Sequence, residues 1–267
     1  MMKQILLITD GCSNVGMDPA AAAAHASVEG IVVNVIGIVD HGEVGARGMR
    51  EIEGIAAAGR GMSRIVPTSM LSRTMQMMTR QTVAHTVKQA VESELRQIVG
   101  ERTSIGDLPP AQRAEVVRVI DRWSESADLR VALLVDTSAS MRPKLPAVQD
   151  AIRDLLLSLR SREGKSEISV FHFPGGRDGS EAVLDAAWTS DLEKVSRLFY
   201  KLDMKGATPT GPALMTVVRY YVSGTLDDAA RMEDRERSQP SAPDRVGARA
   251  DAAAQPEREG LWDGYVV

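Results

Sequence analysis

Residues 129–140 read LRVALLVDTSAS, an apolar stretch that ends in an aspartate and two serines. The apolar residues before Asp136 predict a strand buried on both faces, as in a parallel sheet covered by helices. Residues two apart in extended backbone point the same way, so Asp136, Ser138 and Ser140 can present three oxygen atoms to one point. Functional sites of open α/β sheets lie at this carboxyl end of the strands. The stretch therefore predicts both the fold and the position of a site.

A second buried strand, near the start of the chain, ends in the same way. Residues 5–9 form a continuous apolar run that Asp10 and Gly11 close. If the two strands are neighbours, both carboxylates meet where the winding direction of the sheet reverses, with the serine hydroxyls between them. Such an oxygen-only set suits a hard divalent cation such as Mg²⁺. The alternative is that both aspartates are ordinary turn residues, because aspartate is favoured in turns.

A loop at residues 206–211 adds two hydroxyls, those of Thr208 and Thr210, just before a predicted helix. Its glycine spacing partly matches a phosphate-binding loop. However, Pro212 and Ala213 stand where that motif requires lysine and serine or threonine, which argues against phosphate binding. Either threonine could supply a ligand hydroxyl.

The remaining segments alternate between strands and helices, which predicts an α/β fold. We expect a doubly wound, mostly parallel six-stranded, Rossmann-like sheet with helices on both faces. Strands are predicted at residues 5–9, 31–39, 63–66, 129–135, 167–173 and 182–188. Helices are predicted at residues 20–29, 51–58, 71–98, 111–123, 146–159, 191–202 and 211–222.

Composition and charge exclude several classes of protein. The chain has 267 residues and a single cysteine, so it cannot form an internal disulfide. Its formal net charge of −4 gives it no global attraction to nucleic acid or anionic membranes. No segment resembles a signal peptide or a membrane span, and we expect a cytoplasmic protein. Residues 225–267 are polar with almost no apolar content, which predicts a disordered tail.

Taken together, the motifs resemble the von Willebrand factor A (vWA) domain with its metal-ion-dependent adhesion site (MIDAS). In that family an Asp-x-Ser-x-Ser motif follows the first strand, a threonine stands in a later loop, and an aspartate closes the fourth strand. The matching residues are Asp136, Ser138 and Ser140 for the first motif, Thr208 for the second and Asp10 for the third.

The order of these motifs along the chain differs from that of the family, because the aspartate that comes last there comes first here. The resemblance therefore implies a circular permutation, in which residues 1–100 correspond to the second half of the domain and residues 129–224 to the first half. Residues 101–128 connect the halves and contain a predicted helix. Such a connection also allows two chains to exchange halves, so we expect a monomer or a half-swapped dimer.

The resemblance also implies a function. Ser138 and Ser140 would bind Mg²⁺ or Mn²⁺ directly, Thr208 directly or through water, and Asp136 and Asp10 through water or in alternation. An acidic side chain of a partner protein would complete the coordination, which makes the chain a non-enzymatic protein-binding module. Two other classes stay open, a magnesium-dependent phosphohydrolase and a scaffold that binds no metal.

Overall fold

A computed structural model describes residues 1–11, 13–39, 45–99, 104–175, 182–195, 198 and 208–224. The strands are β1 (Met2–Thr9), β2 (Ile31–Ile38), β3 (Arg60–Val66), β4 (Leu129–Asp136), β5 (Ser166–Phe173) and β6 (Val183–Thr189). The helices are α1 (Pro19–Val28), α2 (Ala46–Ala58), α3 (Leu71–Val99), α4 (Pro110–Ser126), α5 (Leu145–Arg160), α6 (Leu192–Val195) and α7 (Thr210–Ser223). Within these residues, no helix has the length and apolar character needed to cross a membrane.

The strands form one six-stranded sheet in the order β3-β2-β1-β4-β5-β6. Every neighbouring pair is parallel except β5 and β6, which are antiparallel. The first strand of the chain therefore lies beside β4 at the centre of the sheet, and the chain winds outward from this pair in both directions. This arrangement confirms the predicted α/β class and brings the carboxyl ends of β1 and β4 together.

Helices cover both faces of the sheet, which explains why its central strands are apolar throughout. Leu6 and Ile8 of β1 pack on the face covered by α3 and α5. Ile5 and Leu7 pack on the opposite face, which α1, α2 and α7 cover. Because neither face is open to water, the period-two alternation of a half-exposed strand is missing from β1 and β4.

Three elements begin at least three residues earlier than the sequence predicts, namely β1, which begins at Met2, β3 and α2. Strand β3 begins at Arg60, which has a φ of 53°. The next residue, Gly61, lies so close to β2 that an added Cβ would be 2.0 Å from the carbonyl oxygen of Val33. Helix α2 begins at Ala46 and contains in its first turn a buried glycine, Gly48, a residue of low helix propensity.

Three other predictions lie partly or wholly outside the described residues. Of the helix predicted at 191–202, the structure describes α6, which Asp191 caps by accepting a hydrogen bond from the backbone N–H of Glu193 at 2.9 Å. The predicted tail, residues 225–267, and the first part of the threonine loop, residues 206–207, lie outside the described residues.

Tyr221 of α7 ties the two central strands together. Its hydroxyl lies 2.6 Å from the carbonyl oxygen of Gln4 and 2.9 Å from that of Arg130, and it accepts a hydrogen bond from the backbone N–H of Ala132 at 3.0 Å. Burial raises the pKa of this phenol, so it is protonated and can donate to one of the carbonyls.

We expect Tyr221→Phe to lower the free energy of unfolding by about 1–3 kcal/mol, because the backbone groups of both strands lose their shared partner. Urea denaturation measures this loss, and the slope of the transition should be unchanged because the folded state is equally compact. A loss below about 0.5 kcal/mol would show that water replaces the hydroxyl at no cost.

Candidate functional site

The candidate site lies where β1 and β4 end side by side. Ile8 pairs with Val135 in the parallel register, so the residues that follow each strand emerge at the same edge of the sheet. Thr9, one position beyond this pair, donates a hydrogen bond from Oγ1 to Oδ2 of Asp136 at 2.8 Å. The structure therefore brings together the ends of the two strands for which the sequence predicted a shared site.

Asp136 is a fully buried carboxylate. Besides the hydroxyl of Thr9 on Oδ2, it accepts a hydrogen bond from the backbone N–H of Ser138 on Oδ1 at 2.8 Å. Burial raises the pKa of Asp136, the hydrogen bonds from Ser138 and Thr9 lower it, and the nearby carboxylate of Asp10 raises it further. The protein thus encloses an acidic group in a position where burial opposes its ionisation.

The two serines of the Asp-x-Ser-x-Ser pattern connect the two aspartates, and Ser138 reaches Asp136 through its backbone N–H. Ser138 Oγ lies 3.2 Å from Ser140 Oγ. Ser140 in turn donates a hydrogen bond to Oδ1 of Asp10 at 2.9 Å. A short turn of 3₁₀ helix, Ala139–Met141, directs the chain back over the strand end and so places both serines at this edge. Four of the five predicted site residues therefore form one connected cluster of oxygen atoms.

Lys144 belongs to this cluster, although the sequence did not single it out. Its Nζ lies 2.5 Å from Oδ2 of Asp10, and the side chains of Lys144 and Asp10 are only 14% and 2% exposed. Lys144 directly precedes α5, and its backbone carbonyl accepts from Val148 N–H at 3.1 Å. A lysine at a helix start usually points into solvent, so its pairing with a residue of β1 could not be inferred from spacing.

Thr208, the fifth predicted residue, is held against the segment that follows Asp10. Its backbone N–H donates to Oδ1 of Asn14 at 2.8 Å. Its carbonyl oxygen accepts from the backbone N–H of Asn14 at 3.3 Å and from Oγ of Ser13 at 3.2 Å. Thr210, the alternative candidate, begins α7, and its N–H also reaches the Thr208 carbonyl, at 3.0 Å. Thr208 and Thr210 are thus held close to the segment that follows Asp10.

The oxygen atoms of this site form a donor set that fits a hard divalent cation. Two carboxylates and two hydroxyls meet without sulfur or imidazole, the combination that Mg²⁺ prefers in proteins. In the part of the chain that the structure describes, no three His, Cys, Asp or Glu side chains are grouped as a metal site. A cation at this position would therefore depend on the serine hydroxyls as well as on the two aspartates.

These features define a Rossmann-like α/β protein with an oxygen-lined site at the centre of its sheet. The chain is 48% identical over 213 residues to the uncharacterized protein YabS of Bacillus subtilis (strain 168), covering 80% of this chain and 86% of YabS. It therefore belongs to the same family as YabS. It matches none of the models of known protein families.

Solved structures give one strong and one weak likeness. An uncharacterized protein from Alicyclobacillus acidocaldarius subsp. acidocaldarius DSM 446 is 42% identical with a TM-score of 0.73, covering 88% of this chain and 95% of that chain. Proximal thread matrix protein 1 from the mussel byssus, with a zinc-occupied MIDAS motif, is 16% identical with a TM-score of 0.26 over 78% of this chain and 43% of that chain. A TM-score this low establishes no shared fold.

Proposed function

We propose that the chain is a non-enzymatic protein-binding module that depends on a divalent cation. The observation that carries this proposal is the connected cluster of Asp136, Ser138, Ser140 and Asp10, whose oxygen atoms come from the start of the chain and from just past its midpoint. Magnesium is the proposed metal, with manganese as the alternative, because all the donors are oxygen atoms.

The proposed ligands follow the resemblance to the vWA domain. Ser138 and Ser140 would hold the cation directly, Thr208 directly or through water, and Asp136 and Asp10 through water or in alternation. The cation would supply a positive charge that offsets the repulsion between the two buried carboxylates and would leave one coordination position open. An acidic side chain of a partner protein would fill that position.

We also propose that the chain is a circularly permuted vWA domain. The observed sheet order supports this proposal, because strands β1 to β3 wind one way from the centre and strands β4 to β6 wind the other way. Contacts between β1 and β4 do not depend on which half is synthesised first. Helix α4 lies in the connection and packs on α3, so both halves can come from one chain.

The rim of the site suggests what else the partner presents. Val15 and Met17, in the segment between Asp10 and α1, are 51% and 42% exposed. The same segment packs on the start of α7, where Gly16 contacts the ring of Pro212. A partner acid that reached the site would bring its neighbouring residues against these two apolar side chains. The proposed ligand is therefore an acidic residue flanked by apolar ones.

The first test is thermal stability with and without metal. At a Mg²⁺ concentration about 100 times its Kd, binding to the folded state adds about 2.7 kcal/mol and raises the melting temperature. The double variant Ser138→Ala/Ser140→Ala should lose this increase, because it lacks two proposed ligands but keeps both carboxylates.

The matched control is Ser27→Ala/Ser161→Ala, whose hydroxyls contact only carbonyls of their own helices and which should respond like the wild type. Equal responses in all three proteins would remove the site assignment. The binding function is tested by capturing a partner protein in the presence of Mg²⁺. A partner that is released when chelator is added supports the function. Phosphatase activity that disappears in the serine double variant would favour the phosphohydrolase instead.

A further inference from the structure

We propose that the positively charged ammonium group of Lys144 competes with the divalent metal for Asp10. This proposal rests on the proposed function. Pairing of Lys144 with Asp10 and binding of metal by Asp10 are then alternative states of one site. Lys144 thereby sets the metal concentration at which the partner-binding state forms.

Charge at the site is the first step of the argument. Asp10 and Asp136 are close enough for the Asp10 carboxylate to raise the pKa of Asp136. Among the ion pairs of the described residues, these two carboxylates take part in one, the contact between Lys144 and Asp10. Asp136 has no ion-pair partner among the described residues and accepts hydrogen bonds from the neutral donors Thr9 and Ser138. Without metal, the positive charge of the site is therefore that of Lys144.

Geometry is the second step. The two oxygens of Asp10 are divided between the two groups, because Oδ1 accepts from Ser140 and Oδ2 from Lys144. Ser140 is also a proposed metal ligand, so a cation held by it would lie within a few ångströms of the lysine ammonium. Two positive charges at such a distance, beside the 2% exposed side chain of Asp10, repel each other. A metal ion that uses Asp10 must therefore displace Lys144.

Anchoring of the lysine is the third step. Its backbone is fixed at the start of α5, because its N–H donates to the carbonyl of Met141 at 2.9 Å and Met141 is fully buried. The side chain can nevertheless leave the pair, because it is 14% exposed and solvent therefore reaches it. Displacement then needs a change of side-chain rotamer alone, which is fast compared with any rearrangement of the sheet.

The test compares Lys144→Met, which keeps the apolar stem without the charge, with Lys144→Arg, which keeps the charge. Calorimetric titration with MgCl₂ should give a Kd at least about tenfold lower for Lys144→Met than for the wild type, since the competing charge is gone. Lys144→Arg should bind like the wild type. Arg142→Met removes an exposed positive charge two residues away and should change the Kd less than about twofold.

Stability in chelator gives a readout that does not depend on metal affinity. Without metal, Lys144→Met should melt about 5 °C or more below the wild type, because Asp10 is left buried without its partner. Lys144→Arg should stay close to the wild type. Saturating Mg²⁺ should remove most of the difference between Lys144→Met and the wild type, because the metal takes the place of the ammonium.

The outcomes separate this proposal from the proposed function. Equal Kd values for the wild type and Lys144→Met would overturn the competition and leave the metal-dependent module in place. Binding of Mg²⁺ to Lys144→Met alone would support the competition and show that the natural chain is a scaffold without metal. Binding to neither protein, or no loss of stability in chelator, would overturn the role of Lys144.

Discussion

Replacing Asp136 by asparagine is expected to make the chain more stable than the wild type in chelator at neutral pH, and to abolish its stabilisation by Mg²⁺. The carboxylate is fully buried, and burial raises its pKa. The amide keeps the shape of the side chain and can still accept from the N–H of Ser138. The amide can also donate to Oγ1 of Thr9, whose proton then turns to the carbonyl of Gly11 at 3.4 Å.

The sign of the pH dependence follows from the direction of the pKa shift. Above the ordinary pKa of 3.8, the unfolded state loses the Asp136 proton while the folded state still holds it. Stability of the wild type therefore falls as pH rises from about 4 to the raised pKa, and this loss is complete above it. Each unit of difference corresponds to about 1.4 kcal/mol, or about 3–5 °C in a domain of 150–250 residues. The amide in Asp136→Asn does not ionise, so this variant does not lose stability with pH for this reason.

Thermal melts of both proteins in chelator between pH 4 and pH 8 measure the effect. The advantage of Asp136→Asn should grow with pH and vanish near pH 4. Asp107→Asn is the control of opposite sign, because hydrogen bonds from the side chain and backbone of Ser104 lower the pKa of Asp107. It should never exceed the wild type in stability. A lower stability of Asp136→Asn than of the wild type at pH 8 in chelator would contradict this prediction. It would show that the buried carboxylate does not destabilise the metal-free protein, so that metal has no such destabilisation to offset.

The fold could be predicted because its signals are local. Continuous apolar runs identify the buried strands, and aspartates at their ends mark the edge where sites occur. The sequence pattern therefore predicts that Asp10 and Asp136 lie at one edge if their strands are neighbours, and the pairing of Ile8 with Val135 makes them neighbours. Where backbone strain decides the pairing, as at Arg60 in β3, the pattern starts the strand too late.

The partners of the site residues could not be predicted, because they depend on tertiary contacts. Lys144 is separated from Asp10 by 134 positions, and nothing beside it in sequence distinguishes it from a surface lysine. Asn14 bonds to the backbone of Thr208 across 194 positions. The position of Asn14 close after Asp10 in the sequence indicates that Asn14 lies near the site. It does not indicate which loop Asn14 binds. Only the packed arrangement of β1, β4 and α7 determines these pairs.

Gly211→Ala is expected to lower the free energy of unfolding by about 1–3 kcal/mol and to weaken metal binding, although Gly211 is not a proposed ligand. A Cβ at this position would lie 2.2 Å from the carbonyl oxygen of Met17 and 2.9 Å from its Cγ. The backbone at Gly211 or at Met17 must therefore move. The segment that moves carries Ser13 and Asn14, which hold Thr208 at the site.

Gly54→Ala provides the matched control for this substitution. An added Cβ at Gly54, within α2, meets no atom within 4 Å, so alanine should leave stability unchanged or raise it by up to about 1 kcal/mol. Melting curves of both variants with and without Mg²⁺ separate the two effects. A smaller metal-induced shift in Gly211→Ala alone would show that the Thr208 loop supports the metal site. An unchanged shift despite lowered stability would remove Thr208 from the ligand set and leave the cation to Asp10, Asp136 and the two serines.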